Sequence, residues 1–249
     1  MNEKSSLEQL AALRRENREL RQQLERSDKN LQTFLYAIAH DLRAPVRHIS
    51  SFTEILEEDM GEAMSEEDEE TFSHIKAASV RLGLMIDGLL LLSRNRGHRT
   101  VRQEVNLAHT VQHAYSVTEK LEQRGRLIGM EMVDLPIIHS DQAMVGQVFN
   151  QLLSNSLKFT RNTDPSTIRV SSNARAEGIE VVVADDGVGF DMKHAGRLFQ
   201  LFQRLDSSGV EGTGIGLVIV KELMTSLGGQ VTIEASPGRG CEVHLLFPN

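Results

Sequence analysis

Apolar residues in the first part of the chain recur every seven positions. One series comprises Leu10, Asn17, Leu24, Leu31 and Ile38, and a second series, offset by three, comprises Leu13, Leu20, Ser27 and Phe34. These are the a and d positions of a coiled coil, and an asparagine at an a position, such as Asn17, favours a parallel two-stranded pairing. A single amphipathic helix packed on its own domain would show a similar stripe. We favour a parallel coiled coil over residues 1–30.

The heptad continues into a second segment, residues 31–97, whose pattern predicts a helical hairpin. In the heptad frame His40 occupies a c position, outside the apolar seam. The acidic stretch Glu57–Glu70 predicts the turn, and Ser65–Asp68 within it is typical of a capping box that begins a helix. The second helix should end within Ser93–Gly97. Two helices of this length leave apolar surface uncovered, so we expect the hairpins of two chains to form a four-helix bundle.

After residue 97 the pattern changes to short strands and helices. Strand-like runs occupy Leu127–Val133, Ile168–Ser172, Ile179–Ala184, Gln230–Ala235 and Cys241–Phe247. Helical runs occupy Leu107–Gln123, Gln142–Phe159 and Ile215–Leu227. Gly228-Gly229 is typical of a helix stop, and Ser236–Gly240 of a hairpin turn. We therefore expect residues 98–249 to form one mixed sheet covered by helices on one face, a two-layer α/β sandwich.

Composition narrows the classes of function. The 249 residues include 27 Lys and Arg and 35 Asp and Glu, a formal net charge of −8, which disfavours general binders of nucleic acid or anionic membranes. Cys241 is the only cysteine, so no intrachain disulfide can form, as suits a reducing cytoplasm. No apolar run approaches the length of a membrane span. We expect a cytoplasmic chain without a membrane span.

Two glycine-containing segments stand next to regular elements. Asp185-Asp186-Gly187-Val188-Gly189 follows an apolar strand, where a carboxylate can accept a hydrogen bond from an exocyclic amine and glycines let the backbone approach a flat base. Residues 212–217 open a helix, where free N–H groups and the helix dipole favour phosphate. This segment matches neither a P-loop nor a dinucleotide fingerprint. Either segment alone would suit an ordinary turn, whereas the two together predict a nucleotide site.

Two further pairs of polar residues have suitable chemistry. Asn155 and Lys158 are three apart on an otherwise apolar helix, so they share a face. An amide oxygen can ligate Mg²⁺ and an ammonium can neutralise phosphate, although a solvated helix face is the alternative. His40 is followed directly by Asp41, and imidazole, with an unperturbed pKa of about 6.5, is a competent nucleophile at neutral pH. A nucleophile and a phosphate site together predict phosphoryl transfer to histidine.

These motifs, in this order and spacing, resemble the transmitter region of a bacterial two-component sensor histidine kinase, particularly of the phytochrome-like group. The resemblance covers residues 31–249. It implies a dimerisation and histidine-phosphotransfer domain over residues 31–97 and a catalytic ATP-binding domain over residues 98–249. The fold implied for the second domain is the Bergerat-type sandwich shared with some chaperones and gyrases.

The resemblance also implies roles for individual residues. His40 is the phosphoacceptor, and Asp41 is the base or hydrogen-bond partner of its imidazole. Asp185 reads the adenine. Asn155 and Gln151 are the Mg²⁺ ligands. The other implied nucleotide contacts are Lys158, Gly187, Gly189, Phe199, Phe202, Gly212, Thr213, Gly214, Gly216 and Leu217, whereas Arg204 is either a phosphate contact or an ordinary surface arginine.

The sequence departs from the family pattern at three positions. Ala44 stands four residues after His40, where relatives that also dephosphorylate their partner commonly carry Thr or Asn, so that reverse activity is not expected. Gln151 stands where relatives often have a second asparagine, and we expect its amide oxygen to support Mg²⁺ binding. Asp186 replaces a frequent asparagine, an exchange that we interpret as tolerated.

The activity implied is that of a homodimeric, ATP- and Mg²⁺-dependent autokinase that phosphorylates His40 and passes the phosphoryl group to an aspartate of a response-regulator receiver domain. Two alternatives remain open at this stage. One is a catalytically degenerate, dimeric ATP-binding scaffold, which the Gln151 substitution suggests. The other is ATP hydrolysis or conformational switching without transfer to histidine, as in chaperones of this fold.

Overall fold

The computed structural model describes residues 2–61, 64–95, 100–122, 128–201, 203 and 213–249. A long helix, α1 (Asn2–Met60), is followed by a second helix, α2 (Glu66–Asn95). The elements after this hairpin are β1 (Gln103–Asn106), α3 (Leu107–Glu122), β2 (Ile128–Val133), β3 (Ile137–Ser140), α4 (Gln142–Phe159), β4 (Ser166–Arg175), β5 (Gly178–Asp185), a 3-10 helix (Met192–Arg197), α5 (Gly216–Ser226), β6 (Gln230–Ala235) and β7 (Cys241–Pro248).

The predicted helical hairpin is confirmed. Its second helix begins with the expected capping box, because the Ser65 hydroxyl accepts from the Asp68 backbone N–H at 3.2 Å while Asp68 Oδ2 accepts from the Ser65 backbone N–H at 3.1 Å. The two helices enclose a small apolar core of Ala39, Val46, Ile86 and Leu90. Ion pairs join them at two levels, Arg43 with Asp87 and Glu57 with Lys76.

The residues of the predicted coiled-coil seam lie on a different stripe of α1 from those that face α2. Leu24 is 63% exposed and Phe34 is 61% exposed, whereas Ala39 is fully buried against α2. Burying a leucine side chain contributes about 1.5–3 kcal/mol, so an uncovered apolar stripe of this length is costly in water. The stripe is therefore apolar surface that α2 leaves uncovered.

The second domain contains the mixed sheet that the pattern predicted. Its five strands run in the order β2-β4-β5-β7-β6, with β2 and β4 parallel and the other pairs antiparallel. Alternate residues of β4, β5 and β7 are buried beneath α3, α4 and α5; they include Ile168, Val170, Val181, Val183, Val243, Leu245 and Phe247. This packing gives one sheet layer and one helix layer.

The expectation of a single sheet is wrong in one respect. Strands β1 and β3 pair antiparallel as a separate two-stranded sheet, with Val105 opposite Ile138. Each of these strands has four residues, too few to show a convincing alternation in the sequence.

Helix α4 is fixed at its start by Asp141. One carboxylate oxygen of Asp141 accepts from the backbone N–H groups of Ala143 and Met144 at 3.0 and 3.1 Å, and the other accepts from the Val101 backbone N–H at 2.9 Å. This N-cap ties the segment before β1 to the helix that holds the amide and ammonium side chains predicted to bind Mg²⁺ and phosphate. None of the helices in the described part of the chain combines the length and the apolar character needed to cross a membrane.

Candidate nucleotide and phosphoacceptor sites

Asp185 ends β5 with its carboxylate held between two donors. The Ser156 hydroxyl on α4 donates to Oδ2 at 2.9 Å, and the Gly187 backbone N–H donates to Oδ1 at 3.1 Å. Burial raises the pKa of the Asp185 carboxyl above its usual value, and these two hydrogen bonds offset part of that increase. The carboxylate is thus oriented and partly desolvated, as a group that reads a base amine requires.

Gly187 and Gly189 occupy positions with no room for a side chain. A Cβ atom on Gly187 would lie 2.7 Å from the Phe159 carbonyl oxygen and 2.9 Å from Asp185 Oδ1. Gly189 has a φ of +57°, and a Cβ there would collide with the Ser236 carbonyl. The two glycines therefore let the turn after β5 pass closely between the end of α4 and the β6–β7 turn.

Cys241 lies directly opposite Asp185 in the β5–β7 ladder. Burial, together with the smaller effect of the neighbouring Asp185 and Glu242 carboxylates, raises the pKa of the Cys241 thiol to about 12. The thiol therefore remains neutral and contributes packing rather than a nucleophile.

Gln151, Asn155 and Gly216 meet where α4 faces the start of α5. A Cβ atom on Gly216 would lie 3.1 Å from Gln151 Oε1 and 3.6 Å from both Asn155 Oδ1 and Nδ2. The space left by this glycine is lined by two amide groups, and amide oxygens are ligands that suit Mg²⁺ together with phosphate oxygens and water. Lys158 follows on the same helix face, and no described carboxylate forms an ion pair with its ammonium.

The start of α5 has no side-chain cap. Ile215 is the N-cap residue, and no side-chain cap is formed there among the residues that the structure describes. Gly214, just before it, has a φ of +68°. Thr213 lies just before this helix, and the first N–H groups of α5, which include that of Leu217, are suited to phosphate oxygens at the positive end of the helix dipole.

Phe199 packs against the domain core between the 3-10 helix and α5. The Lys221 ammonium lies 5.7 Å from the centroid of its ring, a cation–π contact. Sequence reasoning missed Lys221, because only the fold brings it next to Phe199. The predicted contacts Phe202, Arg204 and Gly212 lie outside the described residues.

His40 lies on α1, in the other domain, with its side chain 68% exposed. Its Nδ1 atom is 3.2 Å from Asp41 Oδ1, and its ring stacks on that of Tyr36 with centroids 6.4 Å apart. An ionised carboxylate can only accept, so Nδ1 carries the hydrogen and Nε2 keeps its lone pair. In the neutral ring, Nε2 is therefore the nitrogen with an available lone pair.

Two family profiles match these two parts of the chain. The profile described as His Kinase A (phospho-acceptor) domain matches residues 30–97. The profile described as Histidine kinase-, DNA gyrase B-, and HSP90-like ATPase matches residues 140–249. The chain has the transmitter region of a sensor histidine kinase.

This transmitter region is similar to part of two proteins named as phytochrome-like or as a phytochrome. It is 28% identical over 232 residues to the phytochrome-like protein Cph1 of Synechocystis sp., covering 92% of this chain and 31% of the relative. It is 30% identical over 222 residues to cyanobacterial phytochrome B of Nostoc sp., covering 88% and 29%. The chain thus spans about a third of the length of the curated relatives that it matches.

A solved structure shares the fold of the transmitter region. Full-length ShkA in complex with AMPPNP superposes with a TM-score of 0.62 and 21% sequence identity, covering 87% of this chain and 45% of that one. The likeness confirms the helical hairpin followed by a Bergerat-type sandwich.

The structure separates the sequence-predicted residues of the transmitter region into a nucleotide cluster and a histidine cluster. In the nucleotide cluster, the turn that contains Asp185, Gly187 and Gly189 lies beside the C-terminal end of α4. Gln151 and Asn155 lie one to two turns earlier on α4, where they face Gly216 of α5. His40 and Asp41 are on the separate hairpin. Ser156 was missed, because one small polar residue in an apolar helix gives no signal until the fold shows its hydrogen bond to Asp185.

Proposed function

We propose that the chain is an ATP-dependent protein histidine autokinase in two-component signalling. It transfers the γ-phosphoryl group of ATP to Nε2 of His40 and then to an aspartate of a receiver domain. The observation that carries the proposal is the 3.2 Å contact between His40 Nδ1 and Asp41 Oδ1, which leaves the lone pair of Nε2 available on an exposed side chain.

The nucleotide is assigned to the sandwich domain. In the proposed complex Asp185 accepts a hydrogen bond from the adenine amine, and Gly187 and Gly189 admit the base. The support for this is the burial of Asp185 and the two donors that orient it. The phosphates lie against the uncapped start of α5, with Phe199 beside them and Lys158 supplying positive charge.

Gln151 and Asn155 would hold Mg²⁺ through their amide oxygens, which line the space beside Gly216. When bound, the ion offsets negative charge on the phosphates. Gln151 keeps an amide oxygen at this place, so its difference from the common asparagine gives no support to a catalytically degenerate scaffold.

The transfer itself needs positioning more than covalent chemistry from the protein. The lone pair of His40 Nε2 attacks the γ-phosphorus, the bond between that phosphorus and the β–γ bridging oxygen breaks, and ADP leaves with the electron pair. The imidazole becomes positively charged as the N–P bond forms. Asp41 stabilises that charge through its hydrogen bond to Nδ1–H.

A homodimer and a receiver-domain partner are part of the proposal, as are the cytoplasmic location and the division of the chain at residues 30 and 97. The exposed apolar stripe of α1, with Leu24 at 63% exposure, supports pairing with a second copy. The exposure of His40 supports access by a partner domain.

Incubation of the full chain with γ-labelled ATP and Mg²⁺ tests the autokinase. We expect acid-labile, base-stable label on the protein, its loss in His40→Gln, and its retention in the matched control His48→Gln, which changes an exposed histidine on the same helix. Label that persists in His40→Gln would contradict the assignment, and transfer to receiver domains in a panel would identify the partner.

A further inference from the structure

Tyr36 stands one helical turn before His40, at a position where the coiled coil gives no reason for an aromatic side chain. In the heptad frame it occupies an f position, on the side of the helix away from the a and d seam. The three preceding f positions hold the polar residues Arg15, Gln22 and Lys29. Tyr36 is 47% exposed, and it does not belong to the apolar core that joins α1 to α2. Neither the seam nor the core therefore explains this ring.

The ring of Tyr36 packs against the imidazole of His40. The two rings are nearly parallel, with an interplanar angle of 23° and centroids 6.4 Å apart, and aromatic rings attract one another at centroid distances of about 4.5–7 Å. Side chains of a helix lean towards its N-terminus, so the imidazole lies back over the turn that carries Tyr36. Within the described residues the Tyr36 hydroxyl makes no hydrogen bond, so the aromatic ring itself provides the contact.

Tyr36 and Asp41 restrain the imidazole of His40 in different ways. Asp41 Oδ1 accepts a hydrogen bond from Nδ1 at the edge of the ring, whereas Tyr36 packs against its face. The lone pair of Nε2 lies in the plane of the imidazole, so attack on a phosphorus atom requires that this plane be held in one direction. A single hydrogen bond allows the ring to tilt about the bonded atom, and a packed face opposes that tilt. The two contacts together fix the direction of the lone pair.

We propose that Tyr36 is a positioning residue for His40, which restrains the plane of the imidazole so that the Nε2 lone pair points at the incoming phosphoryl group. The role in phosphoryl transfer rests on the proposed autokinase activity, whereas the restraint of the ring does not. The imidazole becomes positively charged as the N–P bond forms, and the face of an aromatic ring is negative. The contact should therefore strengthen during the transfer.

Three variants separate the ring of Tyr36 from its hydroxyl and from its place on the helix. Tyr36→Phe keeps the ring and removes the hydroxyl, whereas Tyr36→Leu removes the ring. Leucine has a higher helix propensity than tyrosine, so the second change does not endanger the hairpin. Lys29→Leu is the matched control, because it places the same leucine at the f position one heptad earlier.

Nuclear magnetic resonance of the full chain without nucleotide tests the restraint of the ring. The signals of His40 are identified by their absence in His40→Gln. In Tyr36→Leu we expect the carbon-bound ring protons of His40 to lose the shift caused by the tyrosine ring. The nitrogen shifts should report a smaller fraction of imidazole with its hydrogen on Nδ1, because the ring tilts away from Asp41. Tyr36→Phe and Lys29→Leu should match the wild type, and unchanged His40 signals in Tyr36→Leu would overturn the restraint.

Initial rates of autophosphorylation over a range of ATP concentrations test the role in transfer. We expect kcat to fall about fivefold in Tyr36→Leu with KM for ATP unchanged, and Tyr36→Phe and Lys29→Leu to keep the wild-type values. An equal loss in Tyr36→Phe and Tyr36→Leu would overturn a role for the ring face, as would a wild-type kcat in Tyr36→Leu. If the wild type incorporates no phosphate, the autokinase proposal fails, and the resonance data still decide whether Tyr36 restrains His40.

Discussion

The Ser156 hydroxyl donates a hydrogen bond to Asp185 Oδ2 at 2.9 Å and so joins α4 to the end of β5. This hydrogen bond fixes the side chains of α4 proposed to bind Mg²⁺ and phosphate relative to the carboxylate proposed to bind the base. A nucleotide bound here would contact both elements, so binding should stabilise the whole sandwich domain.

Asp185→Asn should remove nucleotide binding without lowering stability at neutral pH. The pKa of Asp185 is raised in the folded protein, so its ionised form destabilises the fold at a pH above that value. Replacement by Asn should therefore leave the free energy of unfolding at pH 7 equal or slightly higher. That difference should vanish as the pH falls through the raised pKa towards the ordinary value of about 3.9. Urea unfolding at pH 7 and pH 4, with calorimetric titration of an ATP analogue, measures both effects.

Acidification should also weaken nucleotide binding through the same group. The ionised carboxylate accepts the adenine amine more strongly than the protonated acid does, and its raised pKa places protonation at a higher pH than for an ordinary aspartate. We expect the dissociation constant of the wild type for an ATP analogue to rise on acidification before stability is lost. An affinity independent of pH down to about 4 would contradict the assigned role of Asp185.

Gly216→Ala should weaken Mg²⁺-dependent binding of ATP, because its Cβ would lie 3.1 Å from Gln151 Oε1 in the space where the phosphates are proposed to bind. Gly146→Ala is the matched control, since a Cβ on this glycine within α4 meets nothing within 4 Å. The control should raise the free energy of unfolding by about 0.5–1 kcal/mol and leave binding unchanged. Titrations of both variants with ATP, in the presence and absence of Mg²⁺, measure this difference in binding. Equal affinities of the two variants would contradict a place for Gly216 in the site.

Asp41→Asn should slow autophosphorylation about ten- to a hundredfold and leave nucleotide affinity unchanged. An amide no longer stabilises the positive charge that forms on His40, and it allows the other tautomer of the ring. Initial rates at saturating ATP measure the effect. The matched control is Asp59→Asn, a change of another exposed acid on the same helix, and a wild-type rate in Asp41→Asn would leave this carboxylate with no part in the reaction.

Leu24→Asp should weaken the dimer about tenfold or more, because it places a charge at an a position of the predicted coiled coil. Gln22→Asp adds the same charge at an f position of the same helix and should leave the dimer intact. Sedimentation equilibrium on the full chain measures the dissociation constants. If both variants dimerise like the wild type, residues 1–30 do not contribute to pairing.

The limits of sequence reasoning show clearly at particular residues. Helix α4 was predicted at its observed bounds because its apolar spacing is long and regular. Strands β1 and β3 were missed because four residues carry too little alternation. The sequence does not explain Gly88 in α2, because only the fold places Ile215 against it, so that a Cβ on Gly88 would lie 2.7 Å from Ile215 Cδ1.

Helix α1 runs unbroken for 59 residues, and residues 2–44 contain neither glycine nor proline. Helices kink mainly at such residues, so this stretch has no built-in joint. Asn17 and His40 lie about 35 Å apart along its axis. The helix should therefore transmit rotation about its axis along its whole length. A rotation applied near Asn17 would change the direction in which Nε2 of His40 points.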